Sequence, residues 1–191
     1  MATERDKKGK KDGTFKTVME YVRVVLIGAL AAFLVCRFVI INAKVPTGSM
    51  IPTVQIKNRL IGMRVPYYFK DPERSDIVIF KCPEEGENYN KLYIKRVIGL
   101  PGETVTIRAG EVWIKTAQGE DFRLEEDYLP EPPNAALAVN NRTYVLGDDE
   151  YFMMGDNRND SIDSRYWGNV TRDRIKAKAV FKYYKGFEVL E

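Results

Sequence analysis

Three segments carry side chains that could act together in catalysis. They are Pro46-Thr-Gly-Ser-Met-Ile-Pro-Thr53, Tyr93-Ile-Lys-Arg-Val-Ile-Gly-Leu-Pro-Gly102 and Gly155-Asp-Asn-Arg-Asn-Asp-Ser-Ile-Asp-Ser-Arg-Tyr-Trp-Gly168. The chain has no histidine. That excludes a Ser-His-Asp triad and a Cys-His dyad, and it removes the commonest zinc ligand. Cys36 and Cys82 lie in different surroundings without a partner motif, so we expect two unpaired thiols, no metal site and no cofactor. Proton transfer near neutral pH then falls to a group with a shifted pKa. Ser49 is the candidate nucleophile and Lys95 the candidate base. On a strand, Tyr93, Lys95 and Val97 share one face, and Ile94, Arg96 and Ile98 the other. A lysine flanked by Tyr and Val is poorly solvated, and burial lowers its pKa. The neutral amine can then take the proton of a serine hydroxyl. Taken singly, each segment also fits a plainer description: a turn, an edge-strand lysine, a loop held by Asp–Arg pairs.

The elements that would position these groups are mostly short strands. Residues 58–65, 76–80, 92–98 and 174–184 read as strands, and Thr104–Arg108, Ala109-Gly110 and Glu111–Lys115 as a hairpin. Val145-Leu146, Gly147-Asp148-Asp149 and residues 151–154 read as a second hairpin. Residues 120–141 are acidic and contain proline, as in a surface loop. The fold class is mainly β, preceded by one apolar segment from Tyr21 to Ile41, about the 20 residues needed to cross a bilayer. A cleaved secretory leader and a buried core helix are the alternatives, but no small-x-small cleavage site follows the segment. Residues 1–19 form a basic tail without regular structure, 20–41 a transmembrane anchor and 42–191 a β-rich domain. Arg5, Lys7, Lys8, Lys10, Lys11 and Lys16 keep the N-terminus cytoplasmic and place the domain outside the plasma membrane, as a single-pass protein.

Together the three segments closely resemble the type I signal peptidases, over the anchor and essentially the whole domain. The resemblance rests on GDNRNDSIDSRYWG, on SMIPT just beyond the apolar segment and on KRVIGLPG. It implies a serine endopeptidase on a β-rich domain at the membrane surface, cutting signal peptides from exported preproteins with small residues at P1 and P3. Ser49 matches the nucleophile, Lys95 the general base and Ser161 the serine that hydrogen-bonds the lysine. Thr47 supplies an oxyanion hydroxyl beside the Ser49 N–H. Asp163 and Arg165 brace the site, and Asp156, Asn157 and Arg158 shape the same loop. Val45, Met50, Val54, Tyr93 and Ile94 are candidates for the pockets that exclude larger side chains.

This sequence departs from the commonest family pattern at Thr47 for serine, Val54 for leucine, Ser75 for glycine and Glu103 for aspartate. No catalytic group is lost, and the Ser75 change reads as harmless. Charged residues make up 30% of the chain, with a net charge of only +3. Basic residues concentrate at the N-terminus, so nucleic acid is not an expected partner. The expected partners are preproteins and the lipid bilayer, and the expected state is a monomer. Two rivals share parts of the pattern. One is an inactive membrane-anchored β-rich peptide-binding module, which would not need Ser49, Lys95 and Ser161 together. The other is a self-cleaving repressor-type peptidase, which would carry a DNA-binding domain where this chain has its apolar segment. Val65-Pro-Tyr-Tyr-Phe69 is either an apolar rim entering the interface or the end of a buried strand.

Overall fold

The computed structural model describes residues 3–184 and 186–190. The chain divides into two units between Val39 and Ile40. The first is the helix α1 (Thr3–Leu34), continued by a π-helical turn over Val35–Val39. Within it, Phe15–Val39 is apolar and long enough to cross a membrane, and none of its most apolar window is buried in protein. Its 25 residues span about 37 Å as a helix, against a hydrocarbon core of about 30 Å. The basic tail, expected without regular structure, is helical from Thr3 onward. Its lysines and glutamate are good helix formers, and the apolar segment supplies a long template to extend. Ile40 and Ile41, counted in the apolar run, belong to a strand instead. The β-branched run Val39-Ile40-Ile41 suits a pleated surface better than a helix.

The second unit contains two antiparallel sheets. The larger is built from β1 (Ile40–Lys44), β2 (Arg59–Met63), β3 (Ile77–Lys81) and β4 (Leu92–Gly99). It also takes β9 (Glu150–Met154), β10 (Val170–Thr171), β11 (Ile175–Tyr183) and β12 (Glu188–Val189). Their order is β1-β2-β11-β3-β4-β9-β10, with β12 on β11. The smaller sheet has β5 (Thr104–Arg108), β6 (Glu111–Lys115), β7 (Asp121–Arg123) and β8 (Arg142–Val145), in the order β7-β6-β5-β8. Two four-residue helices, α2 (Pro66–Phe69) and α3 (Ser164–Trp167), complete the described elements named here.

The sequence pattern explains which strands are covered on both faces. β3 is buried at four successive positions, Ile77 to Phe80, as a central strand must be. β5 and β6 alternate, burying Val105, Ile107, Val112 and Ile114. Ile98, Phe152 and Met154 from the larger sheet pack into the same cluster. The chain crosses between sheets twice, side by side: Gly102 N–H donates to Gly147 O (3.1 Å) and Leu146 N–H to Glu103 O (2.9 Å). This corrects the second hairpin. β8 pairs with β5 and β9 with β4: a turn does close at Glu150 N–H to Gly147 O (3.2 Å), but Leu146 and Gly147 also bond the other crossing, and the two strands separate into different sheets.

Two further expectations change. Val65 does not end a strand; the chain turns into α2, with Pro66 at its start. Ser75, where the family pattern has glycine, sits at φ 71, the left-handed region that favours glycine. The replacement therefore carries backbone strain. The residue stays useful as an acceptor, since Arg96 Nη1 donates to Ser75 O (2.9 Å).

Candidate active site

The nucleophile segment is an excursion between β1 and β2. Val45 N–H donates to Asn58 O (3.0 Å) and Lys57 N–H to Val45 O (2.9 Å), which closes its base. Met50 and Val54 are buried and tied by a 2.8 Å Val54 N–H to Met50 O bond. With those two side chains turned into the core, the backbone holds Ser49 half-buried at the outer edge. Asn157 fixes it from the other side, its N–H on Ser49 O (3.0 Å) and its Nδ2 on Gly48 O (3.2 Å).

Lys95 comes from β4 in the middle of the large sheet, opposite Val78 of β3. It is 3% exposed. Tyr93 and Val97 pack in one apolar cluster with Val78, Phe80, Tyr151 and Met153, so the face expected to be dry is dry. Lys95 Nζ lies 2.5 Å from Ser49 Oγ. Burial pulls its ammonium from 10.5 down to about 8; Asp163 and Asp156 oppose that, and Arg165 adds to it. A half-neutral amine near pH 8, touching a serine hydroxyl, is equipped to accept that hydroxyl's proton.

Behind the pair, two arginine–carboxylate forks hold the backbone. Arg96 grips Asp156 through Nε (2.9 Å) and Nη2 (2.8 Å), and Asp156 Oδ2 also accepts from Thr53 Oγ1 at 2.5 Å. This joins the neighbour of the base to the nucleophile segment. Arg165 grips Asp163 through Nε and Nη2, both at 2.8 Å. Burial pushes the Asp163 carboxyl up, but Arg165, the Gly155 N–H and the Ser161 hydroxyl outweigh it and hold it below the usual range. Ser161 Oγ donates to Asp163 Oδ2 (2.7 Å), so its hydrogen bond goes to this carboxylate and not, as the resemblance implied, to Lys95. Its one proton goes to the ionised carboxylate, a strong acceptor, while Lys95 Nζ is turned to Ser49 Oγ instead.

A cleft of about 550 Å³ opens in front of the pair. Thr47, Gly48, Ser49 and Lys95 line it, with Val45, Met50, Tyr93 and Ile94 from the expected pocket set. Among the described residues, no group accepts from the Ser49 N–H or the Thr47 hydroxyl. Val54 does not line the cleft; it is fully buried in the core beside Leu60 and Ile77. Its position four residues after Met50 on one turn sends it inward.

Sequence reasoning missed other residues. Lys44, Asn88, Lys91, Leu92, Asp160 and Ile162 also line the cleft. Gly155 is wedged against the site: a Cβ there would lie 2.3 Å from Ser161 Oγ and 2.4 Å from Ser49 O. The glycine opening the third segment was a readable signal of close backbone approach. Glu126 and Tyr128 gave no such signal. Their segment, expected as a surface loop, reaches behind the site. Arg158 Nη1 donates to Glu126 Oε2 (2.9 Å), Nη2 pairs with Glu126 Oε1, and Nε donates to Gly155 O (3.1 Å). The Tyr128 ring lies 4.0 Å from the Arg96 guanidinium. Among the described residues, no cluster of His, Cys, Asp and Glu could hold a metal ion.

A mainly β domain whose cleft brings a serine hydroxyl to a buried lysine amine has the parts of a serine protease. Residues 18–184 match the family model described as "Signal peptidase, peptidase S26", and the chain belongs to that family. It is 34% identical over 179 residues to the probable signal peptidase I-2 of Synechocystis sp., covering 93% of this chain and 78% of that one. It is 35% identical to the signal peptidase I of Leptolyngbya laminosa, covering 87% of this chain and 80% of that one. A crystal structure of a signal peptidase I from Enterococcus faecalis is 32% identical, with a TM-score of 0.45, covering 57% of this chain and 97% of that chain.

Proposed function

We propose that the protein is a membrane-bound signal peptidase I that removes signal peptides from exported preproteins with a Ser49–Lys95 dyad. The observation that carries the reading is the 2.5 Å contact between a buried lysine amine and the serine hydroxyl. Ser49 Oγ attacks the scissile carbonyl while Lys95 takes its proton. The Ser49 N–H and the Thr47 hydroxyl stabilise the oxyanion, each such donor being worth about 10²–10³ in rate. The leaving amine departs protonated, and a water deprotonated by Lys95 then releases the acyl-enzyme. Asp163 acts on Lys95 through its charge, favouring the protonated amine, and Ser161 is hydrogen-bonded to that carboxylate. Val45, Met50, Tyr93 and Ile94 narrow the cleft, which suits small P1 and P3 side chains. Every group of the dyad comes from one chain, so a monomer suffices. The apolar helix anchors the enzyme in the plasma membrane, and the basic tail before it keeps the N-terminus cytoplasmic.

Cleavage of a purified preprotein tests the dyad. Ser49→Ala and Lys95→Ala should each abolish it while leaving the fold intact. For the wild type, kcat/KM should rise through pH 8 and level off above it, because only the neutral amine acts as base. Undiminished cleavage by Lys95→Ala, or a flat profile from pH 6 to 9, would sink the dyad.

A further inference from the structure

Two free strand edges line the cleft in front of the dyad. β1 pairs with β2 alone. β4 pairs with β3 from Leu92 to Arg96, but with β9 only from Arg96 onward. The outer edge of β1 and the Leu92–Lys95 edge of β4 thus have no strand partner among the described residues, and both walls of the cleft continue from them. The sheet passes from β1 to β4 through β2, β11 and β3 in four antiparallel steps, so the two edges run the same way. Lys44 precedes Ser49 on one wall and Lys91 precedes Lys95 on the other, so both lysines stand toward the same end of the cleft. Cys82 N–H donates to Lys91 O (2.9 Å), which keeps Lys91 in line with β4.

The positive charge at this end is uncompensated. Lys44 is exposed and lies directly opposite Arg59 of β2, a pairing in which like charges repel. Lys91 is exposed too, its Nζ on Asn88 Oδ1 (3.3 Å). Among the described residues, none of these three cations is in an ion pair. Glu84, Glu85 and Glu87 belong to the loop before Lys91, but none of them lines the cleft; Glu84 Oε2 accepts from Asn88 Nδ2 (3.0 Å). Asp160 is the acidic side chain that does line it. It precedes Ser161, and Ser161 Oγ and Ser49 O both crowd the Gly155 position, so Asp160 belongs to the dyad end. The cleft is therefore positive toward one end and carries its acid beside the dyad.

We propose that Lys44 and Lys91 form a carboxylate subsite of the cleft, which selects peptides carrying Asp or Glu at the second or fourth residue from the scissile bond. A free strand edge takes an extended peptide by main-chain hydrogen bonds, and alternate side chains of that peptide face opposite ways. The wall alternates in the same manner: Ala43 and Val45 are buried, and Lys44 between them is exposed. A peptide that turns P1 and P3 to the Val45 side presents P2 and P4 to the Lys44 side. The spacing agrees, since the chain from Lys44 to Ser49 spans at most about 17 Å, the length of about five extended peptide residues. Positions on the leader side and on the mature side of the bond offer the same carboxylate. The subsite rests on the proposed reading of the cleft as a preprotein groove and is independent of proton transfer by Lys95.

The test uses the full-length chain with Ser49→Ala in a neutral detergent, so binding is read without cleavage and without anionic lipid. One fluorescent peptide with Ala at P1 and P3 is made with Gln, Glu or Lys at P2 and P4, and in a second set at P2′ and P4′. Fluorescence anisotropy gives each Kd. In one of the two sets Glu should bind about three- to tenfold more tightly than Gln, and Lys more weakly than Gln, as one or two exposed ion pairs allow. That preference should fade in about 0.5 M NaCl. Lys44→Gln with Lys91→Gln should level the three affinities, and Lys44→Glu with Lys91→Glu should favour the Lys peptide. These are ratios within one protein, so partial loss of folded chain does not move them. The set that responds assigns the carboxylate to the leader or to the mature part. Equal affinities for Glu, Gln and Lys in both sets overturn the proposal. So does a Glu preference of the same size in both sets, which reports a general field, or one that survives either double variant, or a chain that binds none of the peptides. Cleavage of the Gln peptide by the wild-type chain is scored separately. Its failure sinks the Ser49–Lys95 reading and leaves the charge preference standing; cleavage without any charge preference sinks the subsite alone.

Discussion

The two sheets solve the same burial problem with different materials. The small sheet hides apolar side chains and keeps its charges outside: Val105, Ile107, Val112 and Ile114 are buried, while Arg123 and Glu111 pair at the surface with side chains 54% and 52% exposed. The large sheet and its loops bury Lys95, Arg96, Asp156, Arg158, Asp163 and Arg165. Each buried ion loses hydration that a paired neighbour only partly restores. The small sheet is built for stability, and the large one gives stability up to hold a lysine of lowered pKa against a serine.

The sharpest way to break the comparison is Lys95→Met. Cleavage should disappear, since among the described residues Lys95 is the one base hydrogen-bonded to Ser49 Oγ. Stability should move the opposite way. The folded lysine releases its proton at about 8 and the unfolded one near 10.5. Below pH 8 both states are protonated and the fold carries the full desolvation cost. Between 8 and 10.5 the unfolded state binds more protons, so wild-type stability rises with pH. The difference corresponds to about 3 kcal/mol. Lys95→Met should therefore raise the denaturation midpoint most at pH 7, with the gain shrinking toward pH 10. A less stable Lys95→Met at pH 7 would show that the ammonium is better solvated than its burial implies.

Glycines separate the two regions next. A Cβ on Gly155 would press on Ser49 O and Ser161 Oγ; one on Gly99 would lie 2.5 Å from Val105 Cγ2 and 2.6 Å from Leu146 Cδ1. Gly155→Ala should lower kcat by about 10²-fold or more, because misplacing reacting groups by an ångström costs that much. Gly99→Ala overpacks the junction with the small sheet and should cost about 1–3 kcal/mol of stability. Its kcat per folded molecule should stay near wild type. A stopped-assay kcat beside a urea melt of each variant distinguishes them; equal kcat losses in both would erase the distinction.

Much of this was legible in the sequence. Alternation along Tyr93-Ile94-Lys95-Arg96-Val97 located a dry face for the base, and the three segments named the residues that meet. The elements with strong local patterns, β3 to β6 and β11, lie where periodicity puts them. What was not legible depended on long-range pairing. Nothing local to Val145–Met154 tells a hairpin from a crossing between sheets; the partner backbone at Gly102 and Glu103 decides it. Nothing local to Ser161 tells whether its hydroxyl meets Lys95 or Asp163. Glu126 and Tyr128 sit in a polar, proline-bearing stretch, and only the fold brings them to Arg158 and Arg96.

Those last residues give the finest test, since one short segment holds a buried and an exposed ion pair. Arg158 and Glu126 have side chains 1% and 8% exposed. Glu126→Gln leaves the Arg158 charge buried without its counter-ion, so it should cost about 3 kcal/mol or more. It should also lower kcat, because Arg158 Nε holds Gly155 O. Glu126→Asp, which restores the charge, should recover part of both. Arg123→Gln breaks the exposed pair beside it and should change stability by less than about 1 kcal/mol, since water solvates the freed carboxylate. Urea melts of these variants measure the contrast. If Arg123→Gln proved as costly as Glu126→Gln, the small sheet would depend on charge as the large one does, and the division between a stabilising sheet and a chemical one would fail.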